Sequence, residues 1–201
     1  MSIIDAAAAA GRAADERIPD RIKLNTIAIR DFRNLERVDL ELPPEGAVVV
    51  GDNGQGKSNF LEAIYYLQIM RSIRDARDQD LTRFDTTGFH ISARPHAPQE
   101  CEIPVGSDRN AKRKKVMHDG TEIPRLSDAL GALPAVMFSP RDLDLVSGSP
   151  AERRRYLDLV LALTDRKYLN ALQKYRANLA RRNAALRNAT RRGSSDNEQQ
   201  V

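Results

Sequence analysis

The first two thirds of the chain alternates apolar and polar residues with the period of two that is typical of β-strands. Ile22, Leu24, Ile27 and Ile29 predict one strand. A second strand keeps strict alternation until two prolines end it at residues 43–44. The predicted strands are at residues 22–29, 38–42, 48–50, 87–93, 100–105, 115–117, 121–123 and 135–138, with a hairpin turn at His118-Asp119-Gly120.

The third predicted strand leads directly into a glycine-rich segment. Residues 51–58 read Gly-Asp-Asn-Gly-Gln-Gly-Lys-Ser, which matches the phosphate-loop pattern G-x-x-x-x-G-K-[ST]. An amphipathic helix is predicted to follow at residues 59–67, with Phe60, Ala63, Ile64 and Leu67 on one face. Strands on both sides of such a helix predict an α/β domain with a mixed sheet.

This strand, loop and helix together have the chemistry of a phosphate site. Glycines let backbone N–H groups close around phosphates, and the helix N-terminus favours the anion. Lys57 is predicted to reach the β- and γ-phosphates, and the Ser58 hydroxyl to bind Mg²⁺. The alternative is a chance glycine-rich turn between a strand and a helix.

Beyond Pro150 the pattern becomes helical. No proline or glycine occurs from residue 152 to 188, and apolar residues recur near heptad spacing. The segment is predicted to be one long helix, or two joined near Thr164-Asp165, with Asp165 as a cap. Its apolar stripe requires a returning helix or a partner. The tyrosines at 156, 168 and 175 lie near arginines and could stack on bases, but their spacing favours core positions.

Composition limits the class of protein. The 201 residues are 41% hydrophobic and 30% charged, as in a soluble protein. No apolar run approaches the roughly 20 residues of a membrane span, and we expect no membrane association. The single cysteine, Cys101, favours a cytoplasmic protein in which this thiol is a buried apolar group. We predict a disordered leader at 1–20, an N-terminal head lobe at 21–149, a helical arm at 150–190 and a disordered tail at 191–201.

Six motifs in order closely resemble the RecF family of bacterial recombination and repair factors, which are related to the heads of SMC proteins and ABC ATPases. The resemblance runs from about residue 22 to 188. The motifs are Asp31-Phe32-Arg33-Asn34, the loop with its helix at 51–64, Arg71-Ser72-Ile73-Arg74, residues 138–143, residues 148–158, and Arg182-Asn183-Ala184-Ala185-Leu186.

The resemblance implies a P-loop NTPase head that binds ATP and Mg²⁺, forms a homodimer on ATP, and binds single- and double-stranded DNA at gaps with RecR- and RecO-type mediators. It also implies that Arg33 and Asn34 approach the nucleotide. The implied ATP-binding residues are Gly51, Asp52, Asn53, Gly54, Gln55, Gly56, Lys57, Ser58, Arg33 and Asn34, with Ser58 as the Mg²⁺ ligand.

Two parts of a complete head are missing from the sequence. It contains no Leu-Ser-x-Gly-Gln-like signature and no apolar strand that ends in Asp-Glu, the Walker B motif. The segment 138–145, in the position of the Q-loop, has no glutamine. The chain therefore resembles a truncated N-terminal half, for which nucleotide binding is expected rather than hydrolysis, because positioning residues carry most of phosphoryl transfer.

Basic residues suggest a nucleic-acid partner. The net charge is +4 and the isoelectric point is near 9.4. A cluster on the predicted hairpin would bind DNA phosphates without sequence specificity, or is a merely solvated loop. The members are Arg109, Lys112, Arg113, Lys114 and Lys115.

Two alternative functions remain open at this point. A small-molecule or nucleotide kinase uses the same loop, although the long basic arm argues against it. The chain could also be an inactive N-terminal fragment of an ATPase head.

Overall fold

The computed structural model describes residues 23–96, 103–108, 113–118 and 121–198. The predicted leader at 1–20, Cys101 and the turn residues Asp119-Gly120 lie outside the described residues. The chain forms two compact units, one ending at Met137 and the other beginning at Phe138. The elements are β1 (Lys23–Phe32), β2 (Leu35–Glu41), α1 (Lys57–Ile69), α2 (Asp78–Leu81), β3 (Gly88–His96), β4 (Ile103–Asp108), β5 (Arg113–His118), β6 (Thr121–Glu122), 3-10 turns at Leu126–Asp128 and Pro140–Leu143, α3 (Asp144–Ser147), α4 (Pro150–Thr164) and α5 (Arg166–Glu198).

The first unit contains a six-stranded sheet in the order β2-β1-β3-β4-β5-β6. The described strand pairs are antiparallel, with Ile29 opposite Val38 on one side and Ile91 on the other. Alternation puts every second side chain on one face, and that face is buried. The predicted strands at 22–29, 38–42, 87–93 and 115–117 are confirmed within the described residues.

Helix α1 packs its apolar face into the same core. Phe60, Ala63 and Leu67 are buried and Ile64 is partly buried, as their spacing predicts. Tyr66 is also fully buried, in edge-on contact with the rings of Phe32 and Phe89. Packing of this kind fixes the helix, and hence the loop that precedes it, against the sheet.

Two predicted strands are wrong. In residues 48–50, Val48 forms a single bridge and no ladder follows, while Val48 and Val50 are half exposed. Residues 135–138 have no regular secondary structure, and Val136 and Phe138 are 96% and 92% exposed. An apolar run shows that a segment can be buried, but a strand also needs a neighbouring strand to pair with. Among the described residues, no neighbouring strand pairs along the length of either segment.

The second unit is built on two long helices, which is the second of the two alternatives that the sequence left open. α4 ends and α5 begins around Asp165, whose carboxylate Oδ1 accepts a hydrogen bond from the Lys167 N–H at 2.7 Å. This is the capping role predicted for Asp165. α5 continues to Glu198, into the predicted tail, because each added helical residue gains one backbone hydrogen bond. No helix in the described part of the chain is both long and apolar enough to cross a membrane.

The expected core positions of the arm tyrosines are wrong for two of the three. Tyr156 is 48% exposed and Tyr175 is 63% exposed. Tyr168 is partly buried, and its hydroxyl donates a hydrogen bond to Asp158 at 2.6 Å. Asp158 also pairs with Arg176 at 2.8 Å. Polar contacts therefore join α4 to α5 beside an apolar stripe that the described residues leave exposed.

Candidate nucleotide-binding site

The loop at residues 51–58 has the backbone that its glycines predict. Gly51, Gly54 and Gly56 have φ values of 150°, 85° and 101°, which L side chains rarely adopt. A Cβ on Gly56 would lie 2.8 Å from both Asn34 Oδ1 and Leu35 Cδ2. Gly56 is therefore required for its conformation and for the close approach of the β1–β2 turn.

The loop ends at the N-terminus of α1. Gly56 is the N-cap, no side chain caps the helix, and the first turn contains no acidic residue. The first N–H groups of a helix have no intrahelical acceptor, and the helix dipole adds partial positive charge there. These features fit the terminal phosphates of a nucleoside triphosphate.

Lys57 lies across the loop. Its Nζ donates hydrogen bonds to the carbonyl oxygens of Gly51 at 2.6 Å and Asp52 at 2.8 Å. The ammonium thus lies beside the backbone that would surround a phosphate. Ser58 is exposed in the first turn of α1, where its hydroxyl would serve as a Mg²⁺ ligand.

A single protein hydroxyl is enough for Mg²⁺ when the nucleotide phosphates and water supply the other ligands. Mg²⁺ keeps several water ligands and is usually bound by one or two protein groups together with substrate phosphates. Within the described ranges, no group of three or more His, Cys, Asp or Glu residues could hold a metal by itself. The residues present fit a metal that arrives with the nucleotide.

The turn between β1 and β2 brings Arg33 and Asn34 beside the loop. The Asn34 side-chain amide donates to the Gly54 carbonyl at 3.0 Å, so it contacts the loop itself. Arg33 has a left-handed backbone, with φ 55°, and points its guanidinium at Glu62 of α1. The two hydrogen bonds to the Glu62 carboxylate are 2.8 and 3.0 Å long.

Glu62 was not predicted as a site residue, yet it is 1% exposed and makes several ionic contacts. The Ser72 hydroxyl donates to its Oε1 at 2.5 Å, and Arg74 Nε lies 3.7 Å from its Oε2. A buried carboxylate needs such partners because desolvation is costly. We call Glu62, Arg33, Ser72 and Arg74 the Glu62 cluster. The sequence held one signal: Glu62, Arg33 and Arg74 each belong to a family motif. Glu62 also lies between Phe60 and Ala63, which are both buried.

One residue of the predicted basic patch on the hairpin, Lys114, is mostly buried. Lys114 is 12% exposed at its side chain and pairs with Asp78 at 2.8 Å. Its Nζ also donates to the Met70 carbonyl and lies 4.8 Å from the centre of the Tyr66 ring. Burial lowers the pKa of Lys114, and the contact with Asp78 opposes that shift. Lys114 is therefore a packing residue, because it shares the inward strand face of Val116.

Lys115, on the opposite strand face, is exposed. Arg109 and Lys112 lie outside the described residues, and Arg113 is described in its backbone alone. The structure thus places one of the five predicted DNA contacts on the surface.

A glycine-rich loop at a helix N-terminus, packed on a sheet and crossed by a lysine, defines a phosphate-loop nucleotide-binding head. A family model described as the RecF/RecN/SMC N terminal domain matches residues 23–132. This chain belongs to that family of RecF, RecN and SMC N-terminal domains. The predicted resemblance and the predicted P-loop head fold are confirmed. The strand pairs within the described residues are antiparallel.

The curated relatives include three named DNA replication and repair protein RecF. The one from Chlamydia muridarum is 37% identical over 166 residues, covering 83% of this chain and 45% of the relative. Those from Halalkalibacterium halodurans and Oenococcus oeni are 36% and 41% identical, covering 86% and 82% of this chain and 46% and 44% of the relatives. The chain therefore spans somewhat less than half the length of the relatives it matches.

Two solved structures have the same fold. One is the recombination mediator protein RecF-ATPrS in the RecFOR pathway, with a TM-score of 0.74 and 32% identity over 82% of this chain and 45% of that one. The other is RecF-ATP in the same pathway, with a TM-score of 0.74 and 31% identity over 83% of this chain and 45% of that one.

Proposed function

We propose that this chain binds ATP with Mg²⁺ at residues 51–58, as the N-terminal half of the head of a DNA replication and repair factor. The observation that carries the proposal is the geometry of the loop. Left-handed glycines, the uncapped N-terminus of α1 and the Lys57 ammonium converge on one place. The similar RecF-ATP structure supports ATP as the ligand.

In the same proposal the protein acts in the cytoplasm on DNA with single-stranded and double-stranded parts, such as gaps. It does so as a homodimer that forms on ATP, together with RecR- and RecO-type mediators, and helps to load the recombinase. Support comes from the relatives named DNA replication and repair protein RecF and from the RecFOR pathway of the similar structures. Lys115 on β5, together with Arg109, Lys112 and Arg113, supplies the proposed DNA contacts.

We propose nucleotide binding here and make no proposal of hydrolysis by this polypeptide. A phosphoryl-transfer site needs residues that orient water and hold the metal opposite the loop. The sequence contains neither a signature motif nor a Walker B strand. Asn34 contacts the loop, whereas Arg33 is engaged by Glu62, so its approach to the nucleotide remains part of the proposal.

Equilibrium titration with ATP and Mg²⁺ tests the nucleotide site. Lys57→Ala removes the ammonium that crosses the loop, and we expect ATP affinity to fall at least tenfold, since a hydrogen bond to a charged group contributes about 1.5–3 kcal/mol. The matched control is Lys174→Ala, on an exposed position of α5, which should bind ATP like the wild type. Equal affinity in Lys57→Ala and wild type contradicts the proposed site.

Titration with gapped DNA, with and without ATP, tests the second part. We expect ATP to strengthen DNA binding in the wild type and to have no effect in Lys57→Ala. If ATP binds but leaves DNA affinity unchanged, the nucleotide site stands and the DNA function is contradicted.

A further inference from the structure

A chain of three hydrogen bonds reaches the phosphate loop from the segment that follows α1. Arg74 donates from its guanidinium to Asn59 Oδ1 at 3.1 Å. The Asn59 amide donates to Asn34 Oδ1 at 2.8 Å, and the Asn34 amide donates to the Gly54 carbonyl at 3.0 Å. Among the described residues, the side-chain donors of Arg74 and Asn59 thus reach the loop through the next residue in this series, Asn59 and Asn34 respectively.

All three bonds point the same way. A charged donor stands at one end and a backbone carbonyl of the loop at the other, so each bond polarises the next in the same sense. In a trans peptide the C=O and the following N–H point in opposite directions. When Asn34 holds the Gly54 carbonyl, the Gln55 N–H is therefore directed away from Asn34. It donates a hydrogen bond to the Asp52 carbonyl oxygen, with the Gln55 nitrogen 3.4 Å from that oxygen.

The far end of the hydrogen-bond chain is fixed by the Glu62 cluster. The Ser72 hydroxyl accepts a hydrogen bond from the Arg74 backbone N–H at 3.0 Å and donates to Glu62. Glu62 is in turn held by Arg33, on the same turn as Asn34. Arg74 is thus tied by its backbone to the buried cluster, while its guanidinium remains aimed at Asn59.

We propose that Asn34, Asn59 and Arg74 are positioning residues that set the orientation of the Gly54–Gln55 peptide for phosphate binding. The consequence for ATP affinity rests on the proposed function, whereas the effect on the peptide does not. Asn59 and Arg74 act through Asn34, and Asn34 acts through the loop backbone. Asn34 and Asn59 are not part of the apolar core of the first unit, so a change of either side chain leaves that core intact.

The ¹⁵N resonance of Gln55 measures this directly, because it responds to hydrogen bonding at the preceding carbonyl. We expect Asn34→Ala to shift it, and Asn59→Ala to shift it in the same direction by a smaller amount. Asn170→Ala, at an exposed position of α5, should leave it unchanged. An unchanged Gln55 resonance in Asn59→Ala overturns the proposal, and this measurement needs no nucleotide.

ATP titration of the same variants then tests the consequence for binding. Asn34→Ala should lose about fivefold in affinity, the effect of one ordinary hydrogen bond, and Asn59→Ala should lose less. Asn170→Ala should bind ATP like the wild type. The double variant Asn34→Ala/Asn59→Ala should bind ATP no more weakly than Asn34→Ala alone, because both changes break the same series of hydrogen bonds. Additive losses contradict a shared path. If the wild type does not bind ATP, the proposed function is wrong. The Gln55 resonance shifts still test whether the three hydrogen bonds orient the Gly54–Gln55 peptide.

Discussion

The first unit, called the sheet unit, and the second unit, called the helical unit, bury their apolar residues to different extents. In the sheet unit Ile29, Ile91 and Val105 are completely buried. Among the described residues from Phe138 onward, Leu169 is the one buried apolar side chain, whereas Leu157 and Leu186 are 55% and 52% exposed. The sheet unit thus contains its own hydrophobic core, and the helical unit relies on contacts between its two long helices.

The two units also differ in the burial of a carboxylate that binds several partners. Glu62 joins α1 to the β1–β2 turn and to residues 72–74, and its side chain is 0% exposed. Asp158 joins α4 to Tyr168 and Arg176 of α5, and its side chain is 28% exposed. Similar hydrogen bonds therefore operate in a low dielectric in one unit and close to water in the other, where ion pairs contribute little.

The largest effect is expected for Glu62→Ala. Removal of one partner from a buried ionic cluster leaves the others uncompensated and costs about 3–5 kcal/mol. Hydrogen exchange read on peptides of α1 should speed up accordingly. Asp158→Ala, the corresponding change in the helical unit, should affect peptides of α4 and α5 far less.

Equal effects of these two variants would contradict the role assigned to burial. Retention of slow α1 exchange in Glu62→Ala would show that the hydrophobic face of α1 fixes the helix without the cluster. The positioning of Asn34 would then need another support.

An intermediate effect is expected for two neighbouring lysines of β5. Lys114→Met removes hydrogen bonds to Asp78 and to the Met70 carbonyl, and should lower the free energy of unfolding by about 1–3 kcal/mol. Lys115→Met should leave stability unchanged but lower DNA affinity and reduce the slope of affinity against salt by about 1. Urea unfolding and DNA titration at several salt concentrations measure both.

A loss of DNA affinity in folded Lys114→Met, with none in Lys115→Met, would reverse the assignment of the two lysines. The sequence already contained the information that separates Lys114 from Lys115. Lys114 and Val116 are two residues apart on a strand and so share a face. A count of basic residues treats Lys114 and Lys115 alike, whereas the strand period separates them.

The elements predicted correctly depend on local patterns. Period two identifies β1 and β3, the helical period identifies the buried face of α1, and Asp165 marks the break between α4 and α5. The glycine pattern likewise identifies the loop at 51–58. In each case the residues that form the feature lie within one short stretch of sequence.

The wrong strand predictions and the missed site residue depend on contacts with residues that are distant in sequence. Residues 48–50 and 135–138 have the composition of strands, but pairing decides whether a strand forms. Glu62 resembles a surface residue until Arg33 and Arg74 are placed beside it, 29 and 12 positions away. Neither periodicity nor a loop motif reports such contacts. The family motifs contain all three residues but do not show that their side chains meet.

The smallest effect is expected for Asp158 on acidification. The hydrogen bond from Tyr168, and then Arg176, holds the pKa of Asp158 below its ordinary value of 3.8. A carboxyl with a lowered folded-state pKa binds protons more readily when unfolded, so its contribution is present above pH 3.8 and is lost as the pH falls below that value. The stability difference between wild type and Asp158→Asn, followed by thermal unfolding, should therefore shrink from pH 5 to pH 2. A constant difference over this range would mean that Tyr168 and Arg176 bind the protonated carboxyl equally well, and that the charge of Asp158 does not hold the two helices together.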